Sequence, residues 1–550
     1  MNIQDEAVAL TKKLVSIPSV NGTPGEKDIA EFIYTYLSEL PYFEKHPDQL
    51  VKAPIPDDSL GRFSVLALFV GEKDDNPDTI MLHSHMDTVP VEDYGALREY
   101  AFDCDALLEK FLERKETLPE DMRKDLESGR YMVGRGCGDM KGGDAINMVL
   151  MKHRCMEPEK YSGNLLISCN CVEETLHLGI IYSLDAIENF KDKYGLNYRL
   201  AINLDFGTEN YPGDPIRHMY SGVVGKVLPC FYVRGIETHV GQAFNGVDPN
   251  YVVSEIVRAL NLNPAYCDNY EKDFPQPPVT LKVQDLKPTY TVQTPIDSFC
   301  YFNYFVQTKS NTQIMKEMKD IAASALHETV AKKNANYKMY CAMAGITYQP
   351  YKVDTEVLEY RELLARAARH FDGDLDACVE ELAKSSIAAG DDMRITSLKI
   401  VRKLTDIAEI RIPTAVVFFA VPYCPHNTLK DEVPEEKALS DEIKGIVAAF
   451  SKETGEPMDV MHFFPSLSDS SYIRIDDDDE SVAALHENFP GQDQLYPLNY
   501  EQMKRLNIPA VNFGEYGKNC HSWRERVDVP FSFGILPELI QRTLDHFLEE

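Results

Sequence analysis

The sequence predicts an α/β fold, a mainly parallel mixed sheet sandwiched by helices, with a smaller α+β domain inserted into it. Three observations carry this expectation. The runs DTIMLHSHMD (Asp78–Asp87), NLLISCNCVEE (Asn164–Glu174) and YRLAINLDF (Tyr198–Phe206) are apolar and end in polar groups, and helically periodic segments separate them. Between about Tyr220 and Tyr340 the pattern changes to longer strand-like runs accompanied by two helical stretches. After about Pro350 the first pattern returns. The expected division is therefore one α/β domain in two parts, residues 1–219 and 341–550, around an inserted α+β domain at 220–340.

In chain order, Asp5–Leu40 reads as helix, loop, helix, broken at Ile17-Pro18-Ser19 and at Asn21–Gly25. The first strand ends in HSHMD. The stretch from Val91 to Tyr131, rich in Glu, Lys and Leu, predicts a helical insertion. GRGCGDMKGG (Gly134–Gly143) is a glycine-crowded turn holding Asp139, and the helical segment AINMVLMKH follows it. It is not a P-loop, because Lys141 is followed by Gly142 and Gly143 instead of Ser or Thr. In the inserted domain, Val223–Arg234, Pro278–Val283 and Ser298–Gln307 read as strands, and Pro249–Leu260 and Thr312–Lys333 as helices. AVVFFAV (Ala415–Val421) and PAVNFG (Pro509–Gly514) are assigned to the returning α/β domain, which closes with a helix at Leu536–Leu548. The acidic run Asp476–Glu480 reads as a solvated loop.

A formal net charge of −32 argues against nucleic-acid or anionic-membrane surfaces, which require basic patches. The N-terminal MNIQDEAVALTKKLVSIPSV has no long apolar signal core, and no apolar run approaches the roughly 20 residues of a membrane span. The twelve cysteines are scattered without CxxC pairs, as suits reduced thiols. The expected location is the cytoplasm.

In an open α/β sheet, functional groups gather beyond the carboxyl ends of the strands. His85, Glu174 and Asp205 fall there, and Asp139 and Glu173 can join them. Each pair of carboxylates at 4 Å costs about 4 kcal/mol at an effective dielectric near 20. Such a cluster must bind cations or take up protons. Imidazole and carboxylate together suit zinc, and also manganese or cobalt. Two metals that share one carboxylate lie about 3.5–4 Å apart.

The ordered set HSHMD, GRGCGDMKGG, EE at 173–174, NLDFG at 203–207 and CHSWRER at 520–526 resembles the co-catalytic dizinc hydrolases of metallopeptidase family 20. That family includes carboxypeptidase G, tripeptidase T, succinyl-diaminopimelate desuccinylases and aminoacylases. The layout and the late AVVFFAVPYCPHN segment are most similar to its arginine-utilisation branch. The resemblance implies a zinc-exopeptidase-like fold and two divalent ions, zinc before manganese or cobalt. It implies His85, Asp139 and Asp205 at one metal, and Asp139, Glu174 and His521 at the other. Asp87 resembles the acid that orients His85 through its second ring nitrogen. Glu173 resembles the general base that activates a metal-bridging water, and His239 the lid histidine that reaches the substrate carbonyl. A homodimer through the lid is also implied, with His239 acting in its own site or in the partner's.

The family's Gly-Thr-Asp-Ala-Arg segment is matched only by LSDSS (Leu467–Ser471). Asp469 stands at the aspartate and Ser471 at the arginine that grips a substrate carboxylate. The lid strand offers Tyr301-Phe302-Asn303-Tyr304 where the family often has a second arginine, so a strict carboxypeptidase does not fit. Arg474, Arg524 and Arg526 are the candidates to replace that arginine. His83, His177, His426 and His462 read as structural, and Cys137 as packing. The expected function is cleavage of a peptide or N-acyl amide bond in a small amino-acid-derived substrate, and the likeness to the arginine-utilisation branch implies a role in amino-acid catabolism, arginine being one candidate. The alternatives are a di- or tripeptide aminopeptidase of the same fold and a catalytically silent small-molecule binder.

Overall fold

A computed structural model describes residues 2–549. It divides into two compact units. The first comprises the chain up to Val224, Asn427–Ile475 and the segment from Glu501 onward. Its main sheet has eight strands: β1 (Leu50–Pro54), β2 (Phe63–Val70), β3 (Asp78–His85), β4 (Asn164–Asn170), β5 (Asn197–Asn203), β6 (Arg217–Tyr220), β7 (Met458–Met461) and β8 (Ala510–Asn512). They lie in the order β1-β2-β4-β3-β5-β8-β6-β7. The middle strands β4, β3, β5 and β8 run parallel, and β1, β2 and β6 supply the antiparallel pairs of a mixed sheet.

The parallel centre explains the unbroken apolar runs. Strands covered by helices on both faces need apolar side chains in both directions. Every residue of β4 is buried, as are all of β3 except Asp78. Each fully buried Leu or Ile there contributes about 1.5–3 kcal/mol. Register aligns the strand ends, with His85 opposite Asn170 and His83 opposite Asn203. The helix Lys141–Met156 packs on this sheet, and its residues from Lys141 to Met151 are all buried.

The stretch after Val91 is helical, with a 3-10 segment at Glu92–Tyr100 and α-helices at Cys104–Glu113 and Glu120–Glu127. It has its own small core of Val91, Tyr94, Leu97, Leu107, Phe111, Met122 and Leu126, against which Trp523 packs. It leads into a short strand, Tyr131–Val133, which pairs antiparallel with Arg526–Asp528, itself paired with Gly517–Lys518. The glycine turn and the late histidine loop therefore spring from one three-stranded sheet.

The second unit comprises Gly225–His426 and Asp476–Tyr500. It extends well past the expected end at residue 340. Its sheet runs Val279–Asp285, Asp297–Val306, Gly225–Arg234, Thr414–Cys424, Glu356–Glu359. Thr414–Cys424, expected in the catalytic domain, pairs antiparallel with Gly225–Arg234, placing Phe418 opposite Cys230. All eleven of its residues are buried. An unbroken apolar run identifies a strand covered on both faces without saying which sheet it joins. The helix expected at Thr312–Lys333 is longer, Asn311–Ala344, and opens with a Ser310/Gln313 capping box. The acidic run is a loop only as far as Asp478, which caps a helix at Asp479–Glu487, and the following acids fill that helix's first turn.

All twelve cysteines are free thiols. Among the described residues no helix is long and apolar enough to cross a membrane.

Candidate metal centre

Beyond the ends of β3, β4 and β5 the first unit gathers two histidines and four carboxyl groups. His85 is the last residue of β3, and its Nε2 lies 3.1 Å from Asp139 Oδ1. His521 Nε2 lies 3.0 Å from the other oxygen of the same group, Asp139 Oδ2, and 3.0 Å from both carboxylate oxygens of Glu174. His85, Asp139 and Glu174 offer ligand atoms all within 4.8 Å of one another. Glu173 Oε2 is 3.8 Å from His85 Nε2. Asp205, two residues past β5, is buried close enough to Asp139 and Glu174 for their charges to raise its pKa further.

Local backbone explains each placement. In the Asp139 turn, Gly136 has φ +81, and a Cβ there would stand 2.6 Å from Thr88 Cγ2. A Cβ on Gly142 would stand 2.3 Å from Glu515 Oε1. The turn is tied to the histidine loop by Glu525, whose Oε1 accepts from Gly136 N at 2.8 Å and Gly138 N at 3.2 Å, while Oε2 accepts from Arg135 Nη1 at 2.7 Å. His521 is held in the left-handed region, φ 62, in the loop between Gly517–Lys518 and Arg526–Asp528. Trp523 meets Phe111 at 5.8 Å, and Arg526 donates to Asp125 at 2.8 Å and Asp121 at 3.1 Å. The helical insertion thus braces the loop that carries His521.

Asp87 differs from its expected role in one respect. His85 Nδ1 lies 3.1 Å from the Asp87 backbone carbonyl, while the nearer carboxylate oxygen is 3.9 Å away. The carbonyl, not the carboxylate, fixes the ring. The carboxylate instead accepts from the amides of Glu173 at 3.0 Å and Glu174 at 3.1 Å, and from Asn21 Nδ2 at 2.9 Å. It therefore sets the turn after β4.

His239 belongs to the second unit, where it is exposed and its Nδ1 accepts from Gly241 N at 3.0 Å. His83 is buried and bonded to Ser470 Oγ at 2.9 Å. Cys137 is buried and inert, its thiol pKa raised by burial. The candidate replacement arginines already serve carboxylates: Arg474 pairs with Glu436, Arg526 with Asp121 and Asp125, and Arg524 lies 3.8 Å from Asp121. His177, read as structural, stands beside Glu173. Its Nδ1 lies 3.0 Å from Asp469 Oδ1 and 3.5 Å from Glu173 Oε1. Glu515 and Glu525, both fully buried, were also outside the sequence reading, because burial of a charge in a loop leaves no periodic trace.

The electrostatics test whether cations fit. Burial opposes charge on His85, yet Glu173, Asp139 and Asp87 outweigh it and hold its pKa well above the usual value. Hydrogen bonds donated to Asp139 and Glu174 push His521 up to about 11. Burial and neighbouring carboxylates raise Glu174 and Asp205. The cluster thus balances its buried charge by retaining protons, which is the condition that divalent cations relieve. The donor set of imidazole and carboxylate fits such ions.

The pH dependence of the metal-free protein follows. Burial pushes the carboxyls of Glu26, Asp144 and Glu525 each up to about 7. Their stabilisation is complete below the unfolded value of about 4 and is lost as pH rises through 7. His85 and His521, raised, act in the same direction. Lys141, pushed down to about 7 by burial, acts oppositely. Chelated protein is therefore expected to lose several degrees of Tm between pH 6 and pH 9 by scanning calorimetry; a Tm that rises over that range contradicts the balance.

The profile of peptidase family M20/M25/M40 matches residues 81–452. The chain belongs to this family. As an M20-family protein it is a metal-dependent hydrolase of the peptidase or amidohydrolase type. Protein RocB of Bacillus subtilis is 34% identical over 549 residues, covering 100% of this chain and 96% of that protein. The uncharacterised protein YqjN of the same organism is 34% identical over 551 residues, covering 100% and 97%. Among solved structures, a tripeptidase from Staphylococcus aureus superposes with TM-score 0.51 at 11% identity, covering 100% of this M20 chain and 99% of that one. Aminopeptidase PepT from Bacillus cereus gives TM-score 0.51 at 12% identity, covering 99% and 98%. At such identities these two show a shared fold alone.

Proposed function

We propose that this chain is a two-metal amidohydrolase that cleaves a peptide or N-acyl amide bond in a small amino-acid-derived substrate. The observation that carries the reading is the Asp139 carboxylate, which presents one oxygen to His85 at 3.1 Å and the other to His521 at 3.0 Å. A carboxylate shared in this way would suit the bridging position of a dinuclear site. His85, Asp139 and Asp205 would hold one ion, and Asp139, Glu174 and His521 the other. Bound there, divalent ions, zinc before manganese or cobalt, would polarise the scissile carbonyl and stabilise the charge that develops on its oxygen.

The chain's own groups do the rest. Glu173 takes a proton on its carboxylate from the attacking water and returns it to the leaving amine nitrogen. Asp87 fixes the His85 ring through its carbonyl and the Glu173–Glu174 turn through its carboxylate. The resemblance gives His239 the role of reaching the substrate carbonyl oxygen, in its own chain's site or in that of a second copy in a homodimer. The resemblance to the arginine-utilisation branch supports a cytoplasmic role in amino-acid, specifically arginine, catabolism.

The test is elemental analysis of protein purified without chelator, paired with hydrolysis of a panel of N-acyl amino acids, dipeptides and tripeptides. About two zinc or manganese ions per chain with metal-dependent cleavage are expected. Cleavage confined to di- and tripeptides with a free amino group would select the aminopeptidase reading. Absence of metal after reconstitution would sink the dinuclear reading and leave the silent binder.

A further inference from the structure

The turn that follows β4 places two side chains of different fates on one side. Val172 has φ 62 and His177 φ 54, and the His177 amide donates to the Val172 carbonyl at 2.8 Å. This tight turn brings the His177 ring back against Glu173. Nδ1 of that ring stands between two carboxylates, 3.0 Å from Asp469 Oδ1 and 3.5 Å from Glu173 Oε1. Asp469 opens a 3-10 turn, Asp469–Tyr472, and its second oxygen accepts from Asn170 Nδ2 at 2.8 Å. The ring lies against Tyr472, centroids 5.2 Å apart. Glu173, His177 and Asp469 are 9%, 3% and 3% exposed.

We propose that His177 and Asp469 form a positioning dyad that holds the Glu173 carboxylate in its working orientation. The proposal rests on Glu173 being the proton carrier of the hydrolase. An ionised carboxylate only accepts, so the bond to Asp469 keeps the ring proton on Nδ1. Glu173 Oε1 lies 3.5 Å from the same nitrogen. The other oxygen of Glu173, Oε2, lies toward His85. One face of the carboxylate thus meets the metal ligands and the other meets the dyad, which fixes rotation about its last torsion. Remove the imidazole and two buried carboxylates confront each other directly, a repulsion that turns Glu173 away from its task. Ordinary packing does not account for the arrangement, because an apolar core of the same volume is no less stable than a buried ionic one.

The three groups also offer ligand atoms within 4.8 Å of one another, so the test must separate a dyad from a third cation site. His177→Leu removes the donor and keeps the bulk against Tyr472. His177→Asn returns an amide N–H near the position of Nδ1. On a substrate cleaved by the wild type, H177L is expected to lower kcat about 10–100-fold with KM within about threefold, and H177N to recover most of the loss. Metal content stays at the wild-type value in both. Unchanged kcat in H177L, or equal loss in both variants, overturns the dyad. Loss of a metal equivalent in H177L overturns it in favour of a cation site. A second readout does not need turnover. In metal-loaded protein, the Tm shifts of H177L and E173Q are expected to be non-additive in the double variant, and additive shifts overturn the proposal. A wild type that hydrolyses nothing on the panel defeats the proposed function, while this cycle still decides the dyad.

Discussion

Glu173→Gln is expected to lower kcat by about 10²–10⁴-fold, because the amide cannot take a proton from the attacking water. The substitution keeps volume and planarity in a buried position, 3.8 Å from His85 Nε2 and 3.5 Å from His177 Nδ1. KM and metal content should therefore stay close to wild type. Steady-state kinetics with metal analysis of the same preparation checks both. Turnover equal to wild type would remove Glu173 from the mechanism, and loss of metal would make it a ligand instead of a base.

The second large effect is expected at Asp139. Asn at this position has one carbonyl oxygen and one N–H₂, so it cannot present an anionic oxygen to His85 and to His521 at once. Metal content should fall to below half of wild type, since both presumed ions share this group. Several kcal/mol of transition-state stabilisation go with them, about 10³-fold or more in kcat/KM. Elemental analysis and kinetics of D139N decide the matter. Full metal content with preserved turnover would contradict the bridging assignment.

The grouping of the candidate site is legible in the sequence where its residues stand at strand ends. His85, Glu174 and Asp205 each close an apolar run, and the register of β3 with β4 and β5 brings those ends level. The parallel sheet was legible for the same reason: strands buried on both faces are apolar without interruption. What escaped depends on backbone geometry that no period records. His177 lies four residues beyond Glu173, and only the left-handed residues Val172 and His177 fold it back. The two functions of Asp87, one through its carbonyl and one through its carboxylate, are likewise invisible in a letter. The run Ala415–Val421 reads as a strand of the returning α/β domain, whereas the strand Thr414–Cys424 that contains it joins the second unit, because burial fixes a strand's character but not its neighbours. Tyr340 looked like a boundary for that reason, although the second unit continues to His426.

The tie between the glycine turn and the histidine loop also bears on how the protein is made. Asp139 and Asp205 leave the ribosome early, and His521 with Glu525 follows roughly 300 residues after Asp205. At about 5–20 residues per second that interval lasts tens of seconds. Throughout it the Arg135 guanidinium and the amides of Gly136 and Gly138 lack the carboxylate that later holds them. Strand β8, which flanks β5 in the finished sheet, is missing over nearly the same interval. The nascent chain therefore carries a half-assembled cluster of acids that can close only when the loop bearing His521 and Glu525 arrives, and a ribosome-stalled fragment ending before His521 should emerge without a competent centre.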